Sequence, residues 1–273
     1  MHSLIRPAFT TILCFSVLGN SVGPRTRART SQPVAPVLRT ASRHPMQYYI
    51  SIPEGWTPNR KWPIVVAITG GLKDFQHHAE VFAQARQELP FIVVTPVNLT
   101  NGAKDLRHAP EYHYADTVWD GVDQTGWCQF DTQGLAAVIA DVQQQYSGQD
   151  KFFIAGHSAG AHLVWMTVFE HPEKLRAAAT TGGNFSNRCI EGFSNAPERV
   201  DLPIRAFRGS KEPQAGMPEG TPNQDQFFIA KTLATAHGYK NLSYEIVDGQ
   251  GHAPYPDKVL AYFNSLLKGS EPH

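Results

Sequence analysis

The pentapeptide Gly156-His157-Ser158-Ala159-Gly160 lies between the apolar run FFIA and the stretch HLVWMTVF. A serine flanked in this way can act as a nucleophile when a sharp strand-to-helix turn presents its Oγ to a cleft. Small residues at Gly156 and Gly160 let such a turn close without clashes. The helix that follows directs its positive N-terminal end at the oxyanion that develops in acyl transfer. The pattern alone does not suffice, because Gly19-Asn20-Ser21-Val22-Gly23 matches it too. That copy runs into Pro24 and a stretch rich in Arg, Thr, Ser and Pro, with neither strand nor helix beside it, so Ser158 is the candidate.

A serine hydroxyl needs a base to take its proton. The chain has twelve histidines, so position singles one out. His252 follows the β-rich run SYEIV within Asp248-Gly249-Gln250-Gly251-His252, and a helical pattern comes next. An imidazole with an ordinary pKa near 6.5 takes up and returns a proton readily near neutrality. The base in turn needs a carboxylate to orient it and to stabilise the imidazolium. Glu212, in Arg208-Gly209-Ser210-Lys211-Glu212-Pro213 after the strand candidate Ile204–Phe207, is the first choice, with Asp225 and Asp248 as alternatives. Asp201 precedes its strand and belongs to the wrong sheet edge.

These residues need a frame. Gln47–Ile52, Pro63–Thr69, Phe91–Thr95, Lys151–Ala155, Leu175–Thr181, Ile204–Phe207 and Leu242–Val247 read as strands, several of them apolar on both faces. Helical spacing over Ala79–Leu89, Gln133–Tyr146, Ala159–Glu170, Gln226–His237 and Asp257–Leu267 separates them. The alternation predicts an α/β fold: one mostly parallel central sheet with helices on both faces. Ligands then bind beyond the carboxyl ends of the strands, where Ser158, Glu212 and His252 all fall.

With these motifs in place, the chain from about Gln47 to Lys268 resembles the α/β-hydrolase superfamily. Within it, the layout is similar to secreted serine esterases of the polyhydroxyalkanoate-depolymerase and feruloyl-esterase kind, which lack a large separate cap. The resemblance implies a single-domain α/β-hydrolase fold and ester cleavage through an acyl-enzyme on Ser158, with a Ser-His-Glu triad. Glu212 stands where the family's G-x-x-D-P turn has the commoner Asp, and His252 matches the glycine-histidine pair of its final loop. The oxyanion donors become the N–H groups of Ala159 and Gly71, with Leu72 next, although Thr69 replaces the family's usual histidine there. A peptidase of the prolyl-oligopeptidase type would use the same parts, and a binding protein could keep the scaffold alone.

Substrate contacts are assigned to Leu72, His157, Tyr114, Trp119 and Trp127. The last three lie in the long segment Asn98–Phe130, which follows a strand. Such a segment either walls the cleft or is anchored by its aromatic packing. Gly182-Gly183-Asn184-Phe185 is a further candidate for the rim.

Lys and Arg number 24, Asp and Glu 24, giving no net charge, so there is no basic surplus to gather nucleic acid. His77, His78, His108 and His113 lack the companion residues of a metal frame, and no phosphate loop follows the first strand. No metal, cofactor or nucleic-acid partner is expected, and the partner is a small-molecule or polymeric ester met by a monomer. Residues 1–23 read as a signal peptide, with the apolar run Ala8–Gly19 too short to span a bilayer. The expected organisation is a flexible lead-in over 24–45, a catalytic domain over 46–269, and a secreted or periplasmic location without stable membrane insertion. Two cysteines remain past the signal, Cys128 and Cys189; either a disulfide or two buried thiols fits.

Overall fold

All seven strands expected from the β-branched runs are present in the computed structural model, which describes residues 35–100, 106–218, 220–221 and 224–268. They are β2 (Gln47–Ser51), β3 (Ile64–Ile68), β4 (Ile92–Pro96), β5 (Phe152–His157), β6 (Leu175–Thr181), β7 (Ile204–Gly209) and β8 (Leu242–Val247), preceded by β1 (Val37–Thr40). The helices are α1 (Phe75–Arg86), α2 (Asp116–Thr125), α3 (Trp127–Gln145), α4 (Ala161–Glu170), α5 (Gln226–Ala236) and α6 (Pro256–Lys268).

The sheet has eight strands in the order β1-β2-β4-β3-β5-β6-β7-β8. From β4 to β8 all pairings are parallel, while β1 and β2 add an antiparallel edge. Side chains alternate across the sheet. Ile64, Val66 and Ile68 of β3 face one apolar layer together with residues of α2 to α5. Val65 and Ala67 face the other, with Phe82 of α1 and Val259, Leu260 and Phe263 of α6. Each such aliphatic side chain taken out of water contributes about 1.5–3 kcal/mol, which is why both faces must be covered.

Three boundaries differ from the sequence expectation. The lead-in is not flexible throughout, since Val37–Thr40 pairs with β2 in register Val37 to Ile50. The lone β1 carries no buried face, so periodicity could not announce it. Helix α1 starts at Phe75, where the Asp74 side chain accepts from the His77 N–H at 3.1 Å. The long segment before Phe130 is largely helical: α2 buries Trp119 and Val122, and α3 begins at Trp127. The expected signal peptide and the first half of the lead-in, 24–34, lie outside the described residues. Among the described residues no helix is long and apolar enough to cross a membrane.

Candidate active site

Strand β5 lies in the middle of the sheet, between β3 and β6. It ends at His157, and the next residue, Ser158, takes φ +50°, a left-handed conformation that costs a non-glycine residue on the order of 1–3 kcal/mol. The turn is held from several sides. Asn184 N–H donates to the Ser158 carbonyl at 3.0 Å, and one 3-10 turn over Ser158–Gly160 leads straight into α4. Gly160 is required because a β-carbon there would overlap the Thr69 carbonyl oxygen. The loop after β3 therefore presses directly on the nucleophile turn.

Beyond β8, His252 reaches back to the end of β7, and its Nδ1 lies 2.7 Å from Glu212 Oε2. A carboxylate oxygen accepts there, so Nδ1 carries the proton and Nε2 is the basic nitrogen. Gly182, at φ +53°, makes room for the ring: a β-carbon would stand 2.6 Å from His252 Nδ1. Glu212 also accepts from Gly209 N–H at 2.9 Å and from Arg208 at 2.8 Å. Burial pushes the Glu212 carboxyl upward. The hydrogen bonds from His252, Arg208 and Gly209, with the charge of Arg208, outweigh that and hold it down to about 2. It is ionised wherever the chain is folded near neutrality.

The two alternative carboxylates are occupied elsewhere. Asp225 is fully buried. It caps α5 by accepting from Phe227 N–H at 3.0 Å, and it takes Arg208 at 2.7 and 2.8 Å and the Tyr244 hydroxyl at 2.8 Å. Asp248 sits at the surface and accepts from Ser210 at 3.2 Å. Glu212 is the carboxylate that meets His252. Its extra methylene is accommodated because the turn after Gly209 folds the side chain back onto the strand end.

Ser158, His252 and Glu212 line one open cavity of about 500 Å³ with Asn184, Phe185, Arg208, Gln214 and Gln226. Asn184 and Phe185 thus belong to the rim, as the sequence suggested. The other expected contacts are distributed differently. In the loop after β3, a β-carbon at Gly70 would stand 3.1 Å from His157 Cδ2 and 3.2 Å from Ser158 Cβ, so this loop lies against the nucleophile turn, while Gly71 is exposed. Leu72 is 90% exposed and lines a neighbouring cavity with Gln47, Tyr49 and Phe75.

His157 does not line the cavity either. Its Nδ1 donates to the Thr181 carbonyl at 3.0 Å, and its ring packs on His252 with centroids 4.6 Å apart. Burial, then the neighbouring His252, pushes its imidazole down to about 4. A neutral ring there serves as a platform for His252.

Tyr114, Trp119 and Trp127 are also absent from the lining. Trp119 is buried against Tyr112 and Tyr114, each at 5.9 Å, and the Tyr114 hydroxyl donates to the Val97 carbonyl at 2.7 Å. Trp127 opens α3 and is partly exposed. Tyr114 and Trp119 anchor the segment, because rings that bury apolar area in the core leave little to offer a cleft.

The sequence reading gave Arg208 no role of its own, and it named Gly182 only as part of a rim candidate. Arg208 carried a usable signal, since it is a cation within an otherwise apolar strand end four residues before Glu212. Cys128 and Cys189 are joined in a disulfide with Cα atoms 5.2 Å apart, fastening the loop after β6 to the start of α3. Among the described residues no group of three His, Cys, Asp or Glu side chains is arranged to hold a metal ion.

The chain resembles known proteins in the same terms. The Esterase family model matches residues 40–187, from the end of β1 to just past the rim residues Asn184 and Phe185. Acyl-protein thioesterase 1 of Eremothecium gossypii is 23% identical over 208 residues, 74% of this chain and 83% of that protein. Acetylxylan esterase A of Talaromyces purpureogenus is 25% identical over 191 residues, 68% of this chain; the chain spans about half of that relative, 46%. The solved structure of LpqC, a poly(3-hydroxybutyrate) depolymerase from Bordetella parapertussis, superposes with a TM-score of 0.54 at 18% identity, over 87% of this chain and 90% of that one. Since the family model matches more than half of the 273 residues, the chain belongs to the Esterase family of the α/β-hydrolase superfamily and is a carboxylic ester hydrolase.

Proposed function

We propose that the protein cleaves its ester through an acyl-enzyme on Ser158, with His252 as general base and acid and Glu212 as the orienting carboxylate. The observation that carries this reading is the 2.7 Å bond between His252 and Glu212 beside the same cavity as a serine held at φ +50°. In the proposed cycle Ser158 Oγ attacks the ester carbonyl carbon, and its proton passes to His252 Nε2. Glu212 stabilises the imidazolium without taking the proton itself. The oxyanion is met by the Ala159 N–H and by a backbone N–H of the Gly70–Gly71 loop. His252 then protonates the leaving alkoxide, and water, deprotonated by the same nitrogen, releases the acid and restores Ser158.

The test is a fluorophosphonate probe with mass mapping of the adduct. Ser158 becomes labelled, and Ser158→Ala loses both labelling and esterase activity while its melting temperature stays near that of the parent. A folded protein that turns over p-nitrophenyl esters with Ser158→Ala in place would overturn the reading. Comparing an amide and an ester of the same acyl group separates an esterase from a peptidase built of the same parts.

Export belongs to the same proposal. The apolar run Ala8–Gly19 and the Cys128–Cys189 bond, which suits an oxidising compartment, both support it. The N-terminal sequence of the protein recovered from an export-competent host tests it.

A further inference from the structure

Arg208 closes β7 with its side chain almost wholly buried, in a cavity where a substrate must bind. All three of its guanidinium nitrogens nevertheless donate to protein. Nη1 donates to Glu212 Oε2 at 2.8 Å. Nε and Nη2 form a two-pronged pair with Asp225 at 2.8 and 2.7 Å, and Nη2 also reaches the Gly183 carbonyl at 3.4 Å. Asp225 begins α5, which carries the cavity residues Gln226 and Ile229. Gly183 precedes Asn184, whose N–H holds the Ser158 carbonyl. One planar fork thus joins the carboxylate that orients His252 to two walls of the cavity.

Resting on the acyl-enzyme reading above, we propose that Arg208 is a positioning residue for ester hydrolysis: it holds Glu212 in line with His252 and keeps that carboxylate charged in the presence of Asp225. The physical need is plain. Two carboxylates buried to this degree, 7% and 0% exposed, cannot both stay ionised without a cation between them. An arginine can serve both at once because its donors form a rigid fork, whereas an ammonium is a single point. Among the described residues, the other titratable groups facing the trio are His252, His157 from β5, Tyr244 from β8 and Tyr255 before α6. None of them supplies a second permanent cation.

Steady-state kinetics of Arg208→Met, Arg208→Lys, Glu212→Gln and the Arg208→Met/Glu212→Gln double variant test this, each checked for a native melting transition. Arg208→Met lowers kcat by roughly 10–100-fold, as loss of a partner behind an active group does elsewhere. KM stays within about twofold, and the acidic limb of the kcat/KM profile moves to higher pH because Glu212 and Asp225 then share a proton. Arg208→Lys recovers part of the loss, and if Arg208→Met fails to fold it carries the same measurements.

In the Glu212→Gln background, Arg208→Met costs less than about threefold further, since residues acting through one another are not additive. A raised KM with unchanged kcat would make Arg208 a substrate-binding group and overturn the proposal. So would equal fold-losses in both backgrounds, or an Arg208→Lys variant indistinguishable from the parent. If Glu212→Gln itself keeps parental kcat, the triad assignment is what fails.

Discussion

Single side chains carry the acid-base behaviour of this protein. Besides Glu212, the informative group is His78 on α1, buried against Phe82 with ring centroids 4.9 Å apart. Burial, reinforced by His157 and His77, pushes its imidazole down to about 3. His157 and His162 are pushed down to about 4, in both cases chiefly by burial. These rings are neutral in the folded chain but take up protons once unfolded, starting near pH 6.5. Their contribution is therefore complete above about pH 6.5 and is lost progressively as pH falls towards 4 and 3. Melting temperature should drop from pH 7 to pH 5, and His78→Phe should make that slope shallower. A scan of melting temperature against pH on both proteins checks this, and equal slopes would contradict it.

At the scale of elements, the segment between β4 and α3 is the informative piece. Its length and aromatic content fit either a substrate wall or a packed anchor. Packing won, because α2 brings Trp119 and Val122 onto the sheet and Asp131 of α3 accepts from the N–H groups of Leu99 and Thr100 at 2.7–3.0 Å. Trp119→Ala should accordingly cost about 3–5 kcal/mol of stability, the usual result of emptying a large buried site. Esterase KM at temperatures where the variant remains folded should stay unchanged. Denaturant titration and steady-state kinetics read the two quantities separately; a raised KM with intact stability would restore the wall. The same element explains why this part was illegible in advance. An α2 with Asp116, Asp120 and Asp123 collected by Arg107 is a polar, ten-residue helix, and only its contacts with the sheet select helix over loop.

For the molecule as a whole, the Cys128–Cys189 bond closes a loop across 61 residues of sequence. Loop-closure entropy at that separation corresponds to about 4 kcal/mol of stabilisation. Mild reduction, or Cys128→Ser/Cys189→Ser, should lower the denaturant midpoint. Because the bond fastens the loop that carries Asn184 and Phe185, esterase activity should become heat-sensitive below the global melting temperature. Activity and far-UV ellipticity followed together during heating measure this, and coincident loss in both redox states would rule it out.

The amino-acid sequence by itself determined the α/β alternation, the position of the serine turn and the order Ser158, Glu212, His252 along the chain. Local rules suffice there: apolar β-branched runs bury on both faces, glycines permit tight turns, and such residues fall after strands. Only the tertiary structure decided which of three carboxylates meets His252, that Gly70 packs against the nucleophile turn, that His157 supports the imidazole, and that Arg208 binds two carboxylates at once. Those outcomes depend on distances between strand ends far apart in sequence, and no periodicity or spacing encodes them. They are set when the sheet packs β5, β6, β7 and β8 side by side and the buried charges must find partners within hydrogen-bond reach.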